Sequence, residues 1–175
     1  YDDAHDPAGL PWAFDYEGVP TQRVTMIDHG IARAVPYDSF TAAREGVSNT
    51  GHALPAPNSE GPMPMHTMLA AGDATLEELI GGIERGIYVN RFHYTNSMHP
   101  VKTLFTGMTR DGTFLIEHGE LTRPVKNLRF IQSILDVLRN VKGLSSRRVQ
   151  YVDYLPVVAP AIRSETFNFT GTTGV

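Results

Sequence analysis

The sequence contains no cysteine. That absence excludes disulfides, thiolate nucleophiles and any zinc site needing a sulfur ligand, and it fits a reducing compartment. No apolar run approaches the ~20 residues a membrane-spanning helix needs, and no signal-like segment opens the chain. Together these point to the cytoplasm and away from a membrane. Basic residues are also in short supply: 15 Lys and Arg against 19 Asp and Glu leave a formal charge of −4. Broad contact with nucleic acid phosphates needs a concentrated basic face. Arg147 and Arg148 are adjacent but isolated and read as a solvated strand end, so no direct nucleic acid partner is expected. Gly-x-Ser-x-Gly is missing, which removes the nucleophile elbow of serine hydrolases. Gly-rich phosphate loops are missing too.

What remains is a folded domain. With 175 residues, 41% apolar and 19% charged, the chain can bury a core as a single domain over residues 1–175. The dipeptides His29-Gly30, Asp111-Gly112 and His118-Gly119 punctuate apolar runs. Two-residue hairpins need positive φ, which glycine accepts freely and Asp or His tolerate. Asp111-Gly112 is therefore expected to join a strand at 104–109 to one at 113–116, and His118-Gly119 to turn into a third.

Thr75-Leu76-Glu77-Glu78 has the form of a capping box. Leu76, Leu79, Ile80 and Ile83 follow at helical spacing, with Gly86 as the expected cap. A second helix is expected with Ile131, Ile134, Leu135 and Leu138 on one face, ending at Gly143. A third, short helix follows Asp38. Residues 48–68 hold Pro55, Pro57, Pro62 and Pro64, which rules out regular helix or interior strand. The tail, 167–175, reads as a final strand and a frayed end. The expected class is α+β, mainly antiparallel sheet with hairpins and two or three helices.

The run Gly86-Ile87-Tyr88-Val89-Asn90-Arg91-Phe92-His93-Tyr94-Thr95-Asn96 is the most distinctive block. With Thr106-Gly107-Met108-Thr109-Arg110-Asp111-Gly112-Thr113-Phe114-Leu115-Ile116-Glu117 and Pro124-Val125-Lys126-Asn127-Leu128, it resembles the C-terminal domain of the TldD/PmbA family. Phe14-Asp15-Tyr16-Glu17-Gly18-Val19-Pro20-Thr21-Gln22-Arg23 and Ser48-Asn49-Thr50-Gly51 extend the resemblance over nearly the whole chain. Members of that family have been called modulators of DNA gyrase and zinc-dependent proteases. The resemblance implies a cytoplasmic peptidase of two dissimilar domains working as a homo- or heterodimer. It also implies a zinc ion held by an HExxxH helix and by a cysteine near the C-terminus. The start Tyr1-Asp2-Asp3-Ala4-His5-Asp6-Pro7 reads like a mid-protein connection, so an N-terminal domain is expected upstream. Neither HExxxH nor the cysteine is present in this sequence. No cofactor is therefore expected in this chain, with zinc reserved for the full-length protein.

Zinc hydrolysis needs three protein ligands and an open position. His5, His29, His52, His66, His93, His99 and His118 include no i, i+4 pair on an expected helix. His29 and His118 belong to turns, and His52 and His66 to the Pro-rich loop, where they rank lowest. His93 is the one weak metal candidate; the other reading makes it a hydrogen-bonded or substrate-lining residue. Strand alternation would place Arg91, His93 and Thr95 on one face, opposite Phe92 and Tyr94. Arg91, His93, Thr95 and Asn96 are the candidate peptide-binding residues, Arg91 for a substrate carboxylate and Asn96 for its backbone. Glu17, Asp28, Glu117 and Glu120 read as solvated carboxylates. The sequence completes no catalytic site. It reads as cleft wall and dimer interface of a peptidase, or as a metal-free, non-catalytic partner subunit.

Overall fold

The computed structural model describes residues 1–152 and 155–172. In chain order the elements are β1 (Ile27–Asp28), β2 (Ile31–Ala32), α1 (Ser39–Glu45), β3 (Thr67–Met68) and α2 (Leu76–Gly81). Then follow β4 (Arg85–His99), β5 (Leu104–Glu117), β6 (Glu120–Pro124), β7 (Leu128–Ser133) and α3 (Ile134–Arg139). The last are β8 (Val141–Val152), β9 (Pro156–Ser164) and β10 (Phe169–Thr172). Antiparallel pairing dominates and three short helices decorate it, so the class is α+β. The chain forms two units: Tyr1–Ala71 with Arg147–Pro160, and Gly72–Ser146 with the segment from Ala161 onward.

Turn and cap chemistry shapes the first unit. His29 and Gly30 take φ of +48° and +80° and close the β1–β2 hairpin, as the two-residue turn requires. Asp38 caps α1 through a reciprocal box with Thr41, and Gly46 ends the helix in the left-handed region. The Pro-rich stretch forms no helix and contributes only β3, but it is packed inward. Ala53, His52 and His66 are all buried. Asp2 forms bridges to Val24 and Thr67, and β3 lies parallel to β9 through Thr67↔Val157 and Met68↔Val158. This core mixes small apolar side chains with buried polar ones, among them Asp2, Asp15, Thr21, Asp38, His52 and His66. Arg148 is not a solvated strand end. Its guanidinium grips both oxygens of Asp6 at 2.9 and 3.1 Å and donates to the Tyr1 hydroxyl at 2.7 Å.

The second unit is built on a sheet ordered β10-β7-β5-β4, with β6 also paired to β5. Three expectations change here. Asp111-Gly112 is not a hairpin: β5 continues through it as one strand, with φ of +58° and +117° forming a bulge opposite Asn90. The pairing partner β4 explains this, since its ladder runs on both sides of the bulge, from Arg85↔Glu117 to His99↔Leu104. The Thr75–Glu78 capping box is present, but α2 ends at Gly82 and Gly86 belongs to β4. Two adjacent glycines at the end of α2 outweigh the apolar period there. The helix expected to reach Gly143 is only α3; Ile131 sits in β7 and Gly143 in β8. Ile134, Leu135 and Leu138 remain exposed, so the period signalled no buried face. The His118-Gly119 turn stands, with φ of +52° and +79° between β5 and β6. β10 supplies the expected final strand; the frayed end expected at 173–175 lies outside the described residues.

Candidate functional site: the outer strand of the second unit

β4 pairs with β5 along its length and, among the described residues, with no strand on its other side. A sheet edge of 15 residues therefore displays backbone donors and acceptors. Its ladder with β5 shifts register three times, and the first two shifts shape the candidate site. The first, between Val89 and Arg91, faces Asp111-Gly112. Asn90 Nδ2 donates to the Asp111 carbonyl at 3.0 Å, and Arg91 Nε donates to the Asp111 carboxylate at 2.6 Å. On the far side of β5, Thr113 donates to Thr109 at 2.7 Å, and Thr109 accepts the Leu128 N–H at 2.9 Å. Thr109 and Thr113 are fully buried. Four chain positions apart, two residues on a regular strand stand too far from each other for hydroxyl contact; the bulge between them brings the hydroxyls together.

The second bulge lies between His93 and Asn96, with Tyr94 at φ +53°. It changes the faces. His93 opposes Met108 and Asn96 opposes Thr106, so both share a face with Arg91, which opposes Arg110. Thr95 is carried to the opposite face, where its methyl approaches Gly107 beside the Phe130 ring. Phe92 lies there too, 4.9 Å from Phe130 and 5.3 Å from Phe167 between ring centroids. Strict alternation through Tyr94 is thus overturned, because one extra residue flips every later side chain. Gly107 is required at this crossing: a Cβ there would stand 2.7 Å from Phe130 Cζ.

Of the four candidate residues, Arg91, His93 and Asn96 come together and Thr95 does not. Arg91 is already engaged by Asp111, with its side chain about one-third exposed (34%). Asn96 Nδ2 donates to the Tyr94 carbonyl at 3.0 Å, which steadies the bulge. His93 is half-buried, its ring 6.4 Å from that of Tyr94. The carboxylate that reaches this face, Asp111, is taken up by Arg91 and lies 3.7 Å from Arg110.

Several other titratable groups are committed elsewhere. His29 and His118 are exposed turn residues, 2.7 and 2.6 Å from Asp28 and Glu84. Glu17 accepts the Ser39 N–H at 3.0 Å, and Glu117 accepts the Thr122 hydroxyl at 3.0 Å. A cavity of about 340 Å³ lined by Pro11–Tyr16 contains one carboxylate, Asp15, whose oxygens accept the Glu17, Val19 and Ala53 amides. Sequence spacing missed a buried group in the first unit: His52 Nε2 lies 3.1 Å from Asp2 Oδ1, and Asp2 Oδ2 accepts the His66 backbone N–H. These residues are separated by 50 and 64 positions, so no local pattern announces them.

The chain belongs to the PmbA/TldD family: residues 1–171 match the PmbA/TldA metallopeptidase C-terminal domain. It is 29% identical over 135 residues to a Metalloprotease TldD homolog of Haemophilus influenzae, covering 76% of this chain and 28% of that protein. A metalloprotease of Methanothermobacter thermautotrophicus is 28% identical over 136 residues, covering 77% of this chain and 30% of that one. TldE from Thermococcus kodakarensis superposes with a TM-score of 0.85 at 25% identity, over 97% of this chain and 39% of that one. The chain thus spans under a third of the length of the curated relatives it matches.

Among the described residues no group of three or more His, Cys, Asp or Glu side chains is placed to hold a metal ion. His93 has no such company, and Asp2 is committed to His52 and His66. The described residues do not fit a zinc centre. No helix among the described residues is long and apolar enough to cross a membrane, which says nothing of β-barrels.

Proposed function

We propose that this chain is the C-terminal domain of a cytoplasmic TldD/PmbA-type peptidase protein, and that β4 forms a wall of its peptide cleft. The observation that carries this reading is the free outer edge of β4. An extended peptide can add to such an edge through its own backbone, which gives affinity without demanding a particular sequence. Val89 and the residues before it, back to Arg85, run in unbroken register with β5, so this half offers the regular template. His93 and Asn96 beyond it supply polar contacts. Arg91 acts through the bulge it holds with Asp111 rather than as a free clamp for a carboxylate.

Hydrolysis by this chain alone is not expected, because the peptidase centre requires residues contributed from outside it. In the full-length protein we place it in a dimer with a family member, without direct contact to nucleic acid or membrane. A second reading makes the protein a metal-free, non-catalytic partner subunit. The absence of cysteine favours it, since the resemblance places one metal ligand on a C-terminal cysteine and this chain has none.

The experiment uses the full-length protein and a short, unstructured, fluorophore-labelled peptide. N-methylation of alternate peptide amides should cut binding by about tenfold or more, because strand addition needs those donors. Changing His93 and Asn96 to Ala should weaken binding with little change in melting temperature. Unchanged affinity of the N-methylated peptide in both registers would remove the strand-edge reading. One zinc retained per protein after dialysis would decide against the metal-free alternative.

A further inference from the structure

We propose that Asp2, His52 and His66 form an acid-sensitive latch, which holds the N-terminal segment closed at neutral pH and releases it on mild acidification. All three residues are about 1% exposed. Asp2 is the hub. Its backbone exchanges hydrogen bonds with Val24, donating at 2.8 Å and accepting at 3.0 Å. Its carboxylate accepts the His66 N–H through Oδ2 and faces His52 Nε2 through Oδ1. Around it, Met68 N–H donates to the Tyr1 carbonyl at 2.7 Å, and Asp3 N–H to the His66 carbonyl at 3.2 Å. Alongside these backbone ties, one carboxylate joins Asp2 to both His52 and His66.

The two histidines differ in what surrounds their rings. An ionised Asp2 accepts only, so His52 Nε2 carries the proton and Nδ1 accepts from the Thr50 hydroxyl at 2.9 Å. Both ring nitrogens of His52 thus have partners, and those of His66 do not: both are buried without a hydrogen-bond partner. A cationic ring in that position has two unsatisfied donors, which is costly in a buried site.

The carboxylates nearest His66 already have partners: Asp2 meets His52 and the His66 N–H, and Asp3 meets Arg23 at 3.7 Å. His52 adds a like charge when protonated. Trp12 presents an aromatic ring with its centroid 5.8 Å from that of His66. Protonated His66 must either draw Asp2 away from His52 or leave the interior, and both break the hub. Burial lowers the His66 value from the usual 6.5, with Asp2 and Asp3 pulling the other way and His52 adding to the lowering. The sign follows. A histidine held neutral in the folded state contributes stability above its unfolded value, and that contribution is lost as pH falls below it.

Trp12 is the sole tryptophan, so its emission reports the His66 ring directly. On the intact chain, pH is lowered from about 7.5 to about 5 while Trp12 fluorescence and backbone amide exchange are followed. Relative to the intrinsic exchange rate at each pH, the amides of Asp2, Asp3, Val24 and Met68 should lose about tenfold or more of their protection at the acid end. Trp12 emission should change with one midpoint below 6.5, and circular dichroism should show the secondary structure retained. In His66→Phe and His66→Gln both responses should vanish. If one variant fails to fold, the other carries the comparison, and the ring resonances of His66 are titrated in the unaltered chain. An acid response that persists in a folded variant, or one that begins while the His66 ring is still neutral, overturns the latch. So does a chain whose four amides stay equally protected across the range.

Discussion

Arg91 on β4 donates its Nε–H to the carboxylate of Asp111 on β5 at 2.6 Å, while its neighbour Asn90 binds the same residue's carbonyl. Two of the blocks that make this sequence recognisable are thereby locked to each other. Asp111, with Gly112, supplies the positive-φ bulge; Asn90 and Arg91 hold it from across the ladder. Thr109 and Thr113 meet beneath it, where they also receive the chain at Leu128. Residues that look like a ligand clamp in one dimension serve first to fix a kink in a long strand.

A double-mutant cycle on Arg91→Ala and Asp111→Asn measures that lock. Both side chains are one-third to one-half exposed, so a coupling of about 0.5–1 kcal/mol is expected, weakening at high salt. Asparagine is chosen because it tolerates the left-handed backbone of position 111. Strictly additive losses in urea unfolding would show that the two side chains do not hold the bulge together.

Gly112→Val and Gly119→Val should each destabilise by about 1–3 kcal/mol, because a β-branched residue is strained at φ of +117° or +79°. Gly119→Val should be the worse of the two. Its Cβ would stand 2.8 Å from the Gly81 carbonyl oxygen, which is backbone and cannot yield easily. The Cβ at position 112 meets a Phe114 ring carbon at 3.0 Å, and a side chain can rotate away. Thermal midpoints that stay at the wild-type value would contradict the positive-φ geometry; reversed ranking would contradict the steric account.

Acid should test the Asp6–Arg148 pair. Hydrogen bonding from Arg148 holds the Asp6 carboxyl at about 2, against the usual 3.8, with the Ala8 amide helping. A carboxyl with a lowered folded value adds stability above 3.8 and loses it as pH falls through about 2. Asp6→Asn should therefore lower stability at neutral pH and flatten its loss across that window. The urea midpoint followed against pH provides the check, and a variant as acid-sensitive as the parent would exclude this pair as a source.

The local sequence by itself determined the caps and the tight hairpins. Asp38 with Thr41, Thr75 with Glu78, and the His-Gly turns at 29–30 and 118–119 each satisfy their own backbone within a few residues. Such chemistry is complete in a short window, so it can be read there. The family was legible as well, because its blocks recur in order along the chain, over the residues 1–171 that match the family. Only the tertiary structure decided what Asp111-Gly112 would become. The same dipeptide serves as a hairpin turn or a strand bulge, and the choice rests with β4, whose ladder continues past both sides. It also decided that Thr95 leaves the face of His93, since a bulge at Tyr94 resets a period that local alternation assumes to be unbroken. Finally, it brought Asp2, His52 and His66 into one buried group from three distant points. No spacing encodes that meeting, because burial and pairing energies belong to the folded chain as a whole.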